Sequence, residues 1–383
     1  MQQGSWIRKM FEDGILLKNK VGSENVYDLS LGNPIFEPPS KFMDLLKEFI
    51  EAPPIGLHRY MPNAGLDDTR SAIADSLNKE TGLPFSKDDI VMTCGAGGAL
   101  NVIIKTLLDP KDEVIVLAPY FAEYFFYIDN HAGECVVLEH DSDFLPNLSK
   151  LDGLVNEKTK IIIVNSPNNP SGVVYPRAIL DQLGEKLKKL ESKYGRDIFI
   201  VSDEPYRKII YDGIGYEHIF SSHINSIVAT SHSKDLGLAG ERIGYIAVNP
   251  THHNKRDLID GLTFSNRILG FVNAPALMQY LIKHLQSETV NVKKYQENRD
   301  YLWSRLQEIG YEVVKPQGAF YMFPKSPISD DIKYVEELRE NNVLVVPGSG
   351  FGSPGYFRIS YCVDDHTLHG CIKGLDKVFR KNI

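Results

Sequence analysis

The 383-residue chain lacks any uninterrupted apolar run near the ~18–20 residues that a membrane span requires. Cysteine is scarce: Cys94, Cys135, Cys362 and Cys371 form no CxxC pair and no dense framework. That excludes a disulfide scaffold and leaves reduced thiols as the expectation. An export signal is missing too, because Arg8, Lys9, Glu12, Asp13, Lys18 and Lys20 interrupt any apolar stretch at the N-terminus. The expected location is therefore cytoplasmic. Basic residues are not in excess, with 42 Lys and Arg against 50 Asp and Glu, a net charge of −8. Nucleic acid and anionic membranes both need a basic face, so neither is an expected partner. No GxxxxGK phosphate loop occurs. Gly95-Ala96-Gly97-Gly98 fails as a dinucleotide fingerprint, since Leu100 stands where the third Gly or Ala belongs. Cys362, His366, His369 and Cys371 do not make a zinc set. On a helix His366 and His369 would share a face while Cys371 points elsewhere, and no metal site is expected.

What is present is the balance of an ordinary globular chain, 43% hydrophobic and 24% charged, too long for a single compact core. Short β-branched runs alternate with helical patterns through the middle of the sequence, which predicts an α/β sheet domain. The expected strands are Ile90–Thr93, Glu113–Ala118, Cys135–Leu138, Lys160–Asn165, Ile198–Ser202, Ser226–Thr230 and Ile243–Val248, with helices such as Ala99–Leu108 and Ala178–Lys193 between them. They make a seven-stranded, mostly parallel sheet flanked by helices. A long helix is expected over Pro275–Leu306, then short strands at Tyr311–Val314, Ala319–Phe323, Val343–Val346 and Tyr356–Tyr361 and a closing helix, a smaller α+β domain. Trp6, Ile7, Met10, Phe11 and Ile15 recur at helical spacing, so the N-terminus reads as a docking helix. The expected division is 1–45 packing on the small domain, 46–275 the large domain and 276–383 the small one.

Ligands of open parallel sheets sit beyond the carboxyl ends of the strands, so the residues directly after each apolar run are the informative ones. Those ends carry Gly95-Ala96-Gly97-Gly98, Asn165-Ser-Pro-Asn-Asn169-Pro-Ser-Gly172, Asp203-Glu204-Pro205-Tyr206 and Ser231-His232-Ser233-Lys234, with Arg242 eight residues past the lysine. Singly, each has an ordinary explanation as a turn, an N-cap or a surface charge. Together they ask for one ligand with a phosphate, a protonated ring nitrogen for the carboxylate and a carbonyl carbon for the lysine amine. Pyridoxal 5'-phosphate has all three.

On these motifs, Asn169-Pro170-Ser171-Gly172, Asp203-x-x-Tyr206 and Ser231-x-Ser233-Lys234 with Arg242, the sequence resembles the class I/II aminotransferases of the fold type I pyridoxal-phosphate enzymes. The resemblance runs from Leu31-Gly32-Asn33-Pro34 to Phe357-Arg358-Ile359. It implies that Lys234 holds the cofactor as a Schiff base and moves the substrate proton, and that Asp203 keeps the ring nitrogen protonated. Tyr206 and Asn169 would face the ring's phenolic oxygen, and Phe121 would stack on the ring. The phosphate would be held by backbone N–H groups of Ala96 and Gly97 and by Ser231, Ser233 and Arg242. Tyr60 would reach the same phosphate in the neighbouring subunit, which implies a homodimer with shared sites. Gly97 is a departure, since relatives often carry a hydroxyl or a longer polar side chain there. Arg358 would grip the substrate α-carboxylate, and Gly32 would permit close approach of the substrate. Arg267 lies close to where aspartate-specific relatives place an arginine from the neighbouring subunit, shifted by about one residue against Asn273-Ala274-Pro275. A surface or interface arginine is the other reading. Tyr120, Tyr124 and Phe36 are alternatively an aromatic side-chain pocket or plain packing. The implied reaction moves an amino group between an L-amino acid and a 2-oxo acid, with aspartate or glutamate as donors if Arg267 reads a distal carboxylate. A β-lyase of the cysteine-S-conjugate type has the same cofactor contacts and is the alternative. A transcription factor built on this domain would need an N-terminal winged helix, and only thirty residues precede Leu31.

Overall fold

All seven β-branched runs become strands of one sheet in the computed structural model, which describes residues 6–383. In chain order they are β1 (Ile90–Thr93), β2 (Glu113–Leu117), β3 (Glu134–Leu138), β4 (Thr159–Asn165), β5 (Phe199–Asp203), β6 (Ser226–Ser231) and β7 (Gly244–Val248). Their spatial order is β1-β7-β6-β5-β4-β2-β3. β7 runs antiparallel to both neighbours and every other pairing is parallel.

The near-continuous apolar character of the central strands follows from burial on both faces, whereas the edge strand β3 is only partly buried. Alternate residues of β4 divide between two cores. Ile161 and Ile163 pack with Val201 and Leu262, whereas Ile162 and Val164 pack with Leu183 and Leu187. Helix Arg177–Tyr194 covers the second face, and helix Gly95–Leu107 the first. Because β4, β5 and β6 are parallel, with Asn165 opposite Asp203 and Asp203 opposite Ala229, the polar ends of β4 and β5 lie side by side and β6 runs two residues further to Ser231.

The N-terminal helix, Trp6–Val21, docks through Trp6, Met10 and Gly14. Met10 is wholly buried, Gly14 abuts Leu344, and Trp6 abuts Gly350. Ile15, expected on the docking face, is 47% exposed. The side chains of Ile7 and Phe11 lie outside the described residues. Just after this helix, Tyr27–Asp28 pairs in parallel with Val343–Leu344.

Three expected elements differ, the first being the strand expected at Val343–Val346, which divides into Val343–Leu344 and Val346–Pro347 in separate sheets. The helix expected over Pro275–Leu306 is two helices, Ala276–Ile282 and Val292–Ile309. Between them the backbone turns to donate from Val290 N–H to the Asp235 carbonyl (2.7 Å), and the Asn291 side chain caps the second helix by accepting from Lys294 N–H (3.2 Å). A tertiary hydrogen bond plus an N-cap outweighs continued helix here. The Tyr311–Val314 segment is not a strand. Tyr311 is anchored by ring contacts with Phe379 and Phe357, and the segment's link to its neighbour is the bond from Lys325 N–H to the Glu312 carbonyl (2.9 Å).

The C-terminal part carries an antiparallel three-stranded sheet, Val346–Pro347, Phe357–Ser360 and Tyr321–Met322, in that order. Its pairing sets Ser360 against Tyr321, and Arg358 against Val346. Helix Asp365–Lys381 closes the chain, with the Asp364 carboxylate accepting from Thr367 N–H (2.7 Å). No described helix is long and apolar enough to cross a membrane.

Candidate active site

The carboxyl ends of β4, β5 and β6 open into a cavity of about 370 Å³. Gly32, Ala96, Gly97, Phe121, Asn169, Asp203, Tyr206, Ser231, Ser233, Lys234, Arg242 and Arg358 all line it. Residues as far apart in sequence as Gly32 and Arg358 thus meet in one place. Tyr60 and Arg267 do not line it. Tyr60 is 92% exposed, and Arg267 lies on the exposed side of helix Lys255–Ile268.

The β4 end acts as a bracket. Asn165 Nδ2 donates to the Asp203 carbonyl (2.9 Å), and its Oδ1 accepts from Asn169 N–H (2.7 Å). Asn168 Oδ1 accepts from both the backbone N–H and the hydroxyl of Ser171. This fixes the loop and aims Asn169 at Arg358, whose Nη1 donates to Asn169 Oδ1 (3.0 Å). Arg358 is 1% exposed, Nη2 donates to the Ser30 carbonyl, and its guanidinium lies 4.6 Å from the Tyr321 ring centre. Its Nε is buried without a partner. A buried cationic donor left open calls for an acceptor, and a carboxylate is the best match.

Asp203 has the complementary need. Burial pushes its carboxyl up to about 7, against the hydrogen bond from Tyr124 that holds it down, while neighbouring Glu204 adds to the rise. Oδ2 accepts from the Tyr124 hydroxyl (2.6 Å), whereas Oδ1 is buried with no partner. Such an oxygen asks for a charged N–H donor. Lys234 Nζ donates to the Gly32 carbonyl (2.7 Å). Burial first, then the cations Arg358 and Arg242, lower its pKa to about 8, although Cys362 opposes them. An amine in that range is partly neutral at working pH and therefore nucleophilic.

At the other end, helix Gly95–Leu107 points its N-terminus into the cavity beside Ser231 and Ser233, whose hydroxyls lie 3.1 Å apart. A Cβ on Gly95 would lie 2.9 Å from Arg242 Nη2, so the glycine is what admits the guanidinium over the first turn. Helix end, hydroxyls and arginine make an anion site.

Other cavity residues were not legible as such in the sequence. Tyr321 lines the cavity, and its hydroxyl lies 2.9 Å from that of Tyr206. A side chain on Gly32 would overlap Tyr321 Oη, so the glycine makes room for a tyrosine of the C-terminal sheet. Tyr127 and Glu123 line the cavity from helix Glu123–Asp129, and Tyr124 approaches Asp203 from below. Their spacing of two, three and six residues after Phe121 was a usable signal, since a helix starting at the rim aims its first turns inward. Tyr321 had none, being embedded in the apolar run Phe320–Phe323. Cys362, His366, His369 and Cys371 have separate contacts: Ser360, the Glu24 carbonyl, the Tyr301 ring and the Leu368 carbonyl.

Fold and site together define an α/β protein whose strand-end cavity joins an anion site to a partly buried lysine and a buried carboxylate. Residues 24–375 match the family model of class I and II aminotransferases, and the chain belongs to that family. It is 32% identical over 94% of its length to a probable aspartate aminotransferase of Methanocaldococcus jannaschii, covering 95% of that protein. It is 34% identical over 93% to a probable aspartate/prephenate aminotransferase of Aquifex aeolicus, covering 92% of it. Among solved structures, an aminotransferase of Eubacterium rectale superposes with a TM-score of 0.96 at 40% identity, over 98% of this chain and 95% of that one. The Thermus thermophilus aspartate aminotransferase with maleate gives 0.86 at 26%, over 98% and 96%. The protein is therefore an aminotransferase, with an amino acid and a 2-oxo acid as substrates, in a family whose chemistry depends on pyridoxal phosphate. The open Oδ1 of Asp203, the open Nε of Arg358 and the anion site fit that cofactor and a substrate carboxylate.

Proposed function

We propose that the cavity holds pyridoxal 5'-phosphate on Lys234 and exchanges an amino group between an L-amino acid and a 2-oxo acid. The observation that carries this reading is the buried, unpartnered Oδ1 of Asp203. It suits the charged N–H of a protonated ring nitrogen. When bound, the cofactor supplies an electron sink for the substrate α-carbon.

The residues divide the remaining work. Asp203 stabilises the positive ring nitrogen, and Phe121 covers the ring. Ala96 and Gly97 N–H, Ser231, Ser233 and Arg242 hold the phosphate. Tyr206 and Asn169 face the phenolic oxygen. Arg358 grips the α-carboxylate, placing the α-hydrogen for Lys234 Nζ to take and return. Gly32, whose carbonyl is 2.7 Å from Nζ, borders the substrate.

The assembly is a two-fold homodimer in which Tyr60 serves the partner's phosphate. Supporting this, Ile55 (97%), Tyr60 (92%), Phe264 (59%) and Ile268 (51%) are large side chains left exposed. The segments that carry them are tied together by bonds from Asn273 Nδ2 to the Pro62 carbonyl and from Asn63 Nδ2 to the Val272 carbonyl. Donor choice falls on aspartate or glutamate, read by Arg267 across the interface. The names of the relatives, a probable aspartate aminotransferase and a probable aspartate/prephenate aminotransferase, support aspartate.

Borohydride reduction of the yellow holoenzyme followed by peptide mapping tests the anchor, with Lys234 as the labelled residue. A panel of amino acids then reports the donor through loss of the cofactor's visible absorbance. Label on another lysine would end the assignment.

A further inference from the structure

Two glycines open the first turn of helix Gly95–Leu107, and each admits a group from elsewhere in the chain. Gly95 admits Arg242. At Gly97 an added Cβ would lie 3.2 Å from Tyr127 Oη, so the phenol closely borders the space that a side chain at this position would enter. Tyr127 lines the same cavity as Ala96, Gly97 and Arg242.

We propose that Tyr127 is a phosphate-binding residue, its hydroxyl donating to the anion in place of the side-chain hydroxyl that position 97 lacks. The inference rests on the reading of this end as the phosphate end. Arg242 and Tyr127 then flank the backbone N–H groups of Ala96 and Gly97, one bringing charge and the other a neutral donor. A dianionic phosphate offers several acceptor sites on each oxygen, so a neutral hydroxyl donor can be accommodated beside the helix-end N–H groups, the two serines and Arg242. The phenol keeps its proton, because burial, then the carboxylates of Glu123 and Asp203, push it up to about 12, with Arg242 opposing. It is thus a donor at any working pH. The glycine at 97 is a consequence, since a side chain there would crowd the phenol.

Equilibrium binding of pyridoxal phosphate and of pyridoxal, which lacks the phosphate, to the cofactor-free enzyme tests this, with inorganic phosphate as competitor. Tyr127→Phe is expected to raise Kd for pyridoxal phosphate about tenfold, and for pyridoxal less than about twofold. Adding Gly97→Ser to Tyr127→Phe should recover at least about threefold, because the serine hydroxyl then has both room and a task. Gly97→Ser alone should give no gain, and a gain would mean the place was vacant, overturning the proposal. Arg242→Ala separates the two readings. If it weakens both ligands alike, the phosphate does not sit here and the proposal falls with that reading. If it is selective for pyridoxal phosphate while Tyr127→Phe affects both ligands equally, or neither, Tyr127 only packs and the proposal alone is overturned.

Discussion

Tyr124 and Asp203, 79 positions apart in sequence, share a 2.6 Å hydrogen bond beneath the cavity, the phenol donating to Oδ2. That bond occupies one carboxylate oxygen and leaves the other buried without a partner. It also opposes the burial that drives the Asp203 carboxyl towards neutrality. Tyr124→Phe should therefore let the Asp203 pKa climb further, so that the acid is more protonated at neutral pH. We expect kcat at pH 7 to fall about tenfold, the size of one hydrogen bond to a charged group, and to recover partly at pH 9. A pH-independent loss would mean that Tyr124 acts only through packing.

Asp203→Asn should part stability from activity. In the folded chain burial pushes the carboxyl up to about 7, well above the usual carboxylate range. Its contribution to stability is thus fully present below the unfolded value and is lost as pH rises towards 7. Asparagine removes this penalty. Denaturant unfolding of the cofactor-free enzyme should find Asp203→Asn more stable at pH 8 by about 2 kcal/mol, with the advantage shrinking between pH 7 and pH 4. Turnover should meanwhile drop by at least about a hundredfold, since the ring nitrogen loses its anionic partner.

The pair Tyr206 and Tyr321 has a proton-counting consequence. Each phenol has one hydrogen. If Tyr206 gives its hydrogen to the cofactor's ring oxygen, Tyr321 must donate to Tyr206. Tyr321→Phe should then weaken the Tyr206 bond and raise the pKa read from the bound cofactor's absorbance by about 0.3–0.5 units. Tyr206→Phe should raise it more, and the double change no further than Tyr206→Phe alone. Additive shifts would rule out a chain through Tyr206.

Lys234 should govern cofactor capture. With its amine at about 8, the rate of pyridoxal phosphate uptake by the cofactor-free enzyme should rise with pH and level off above that value. Stopped-flow absorbance between pH 6 and pH 10 checks it. A midpoint near 10 would mean that burial does not depress the amine in solution.

The proposed reading of a distal carboxylate by Arg267 is tested through donor choice. Arg267→Ala should cost about 2–3 kcal/mol in kcat/KM for aspartate and glutamate and leave alanine and phenylalanine nearly unchanged. Equal losses for all donors would assign Arg267 to the interface or the fold.

The sequence by itself determined the sheet and most of the rim. A strand buried on both faces must be apolar throughout, so its ends are marked by the first polar residue, and in parallel strands those ends share one edge. That is why Asn165, Asp203 and Ser231 could be placed together from spacing alone. Only the tertiary structure decided what those residues touch. Tyr124, Tyr127 and Tyr321 look like core aromatics in the sequence, because the same ring that fills space also carries a hydroxyl, and its direction depends on how distant elements dock. Gly32 and Gly97 were visible as glycines, but the tyrosines that require them came from other parts of the chain. The break after Ile282 and the missing strand at Tyr311–Val314 have the same origin. Local periodicity there was overruled by a hydrogen bond to Asp235 and by ring contacts with Phe357 and Phe379, partners that no local window contains.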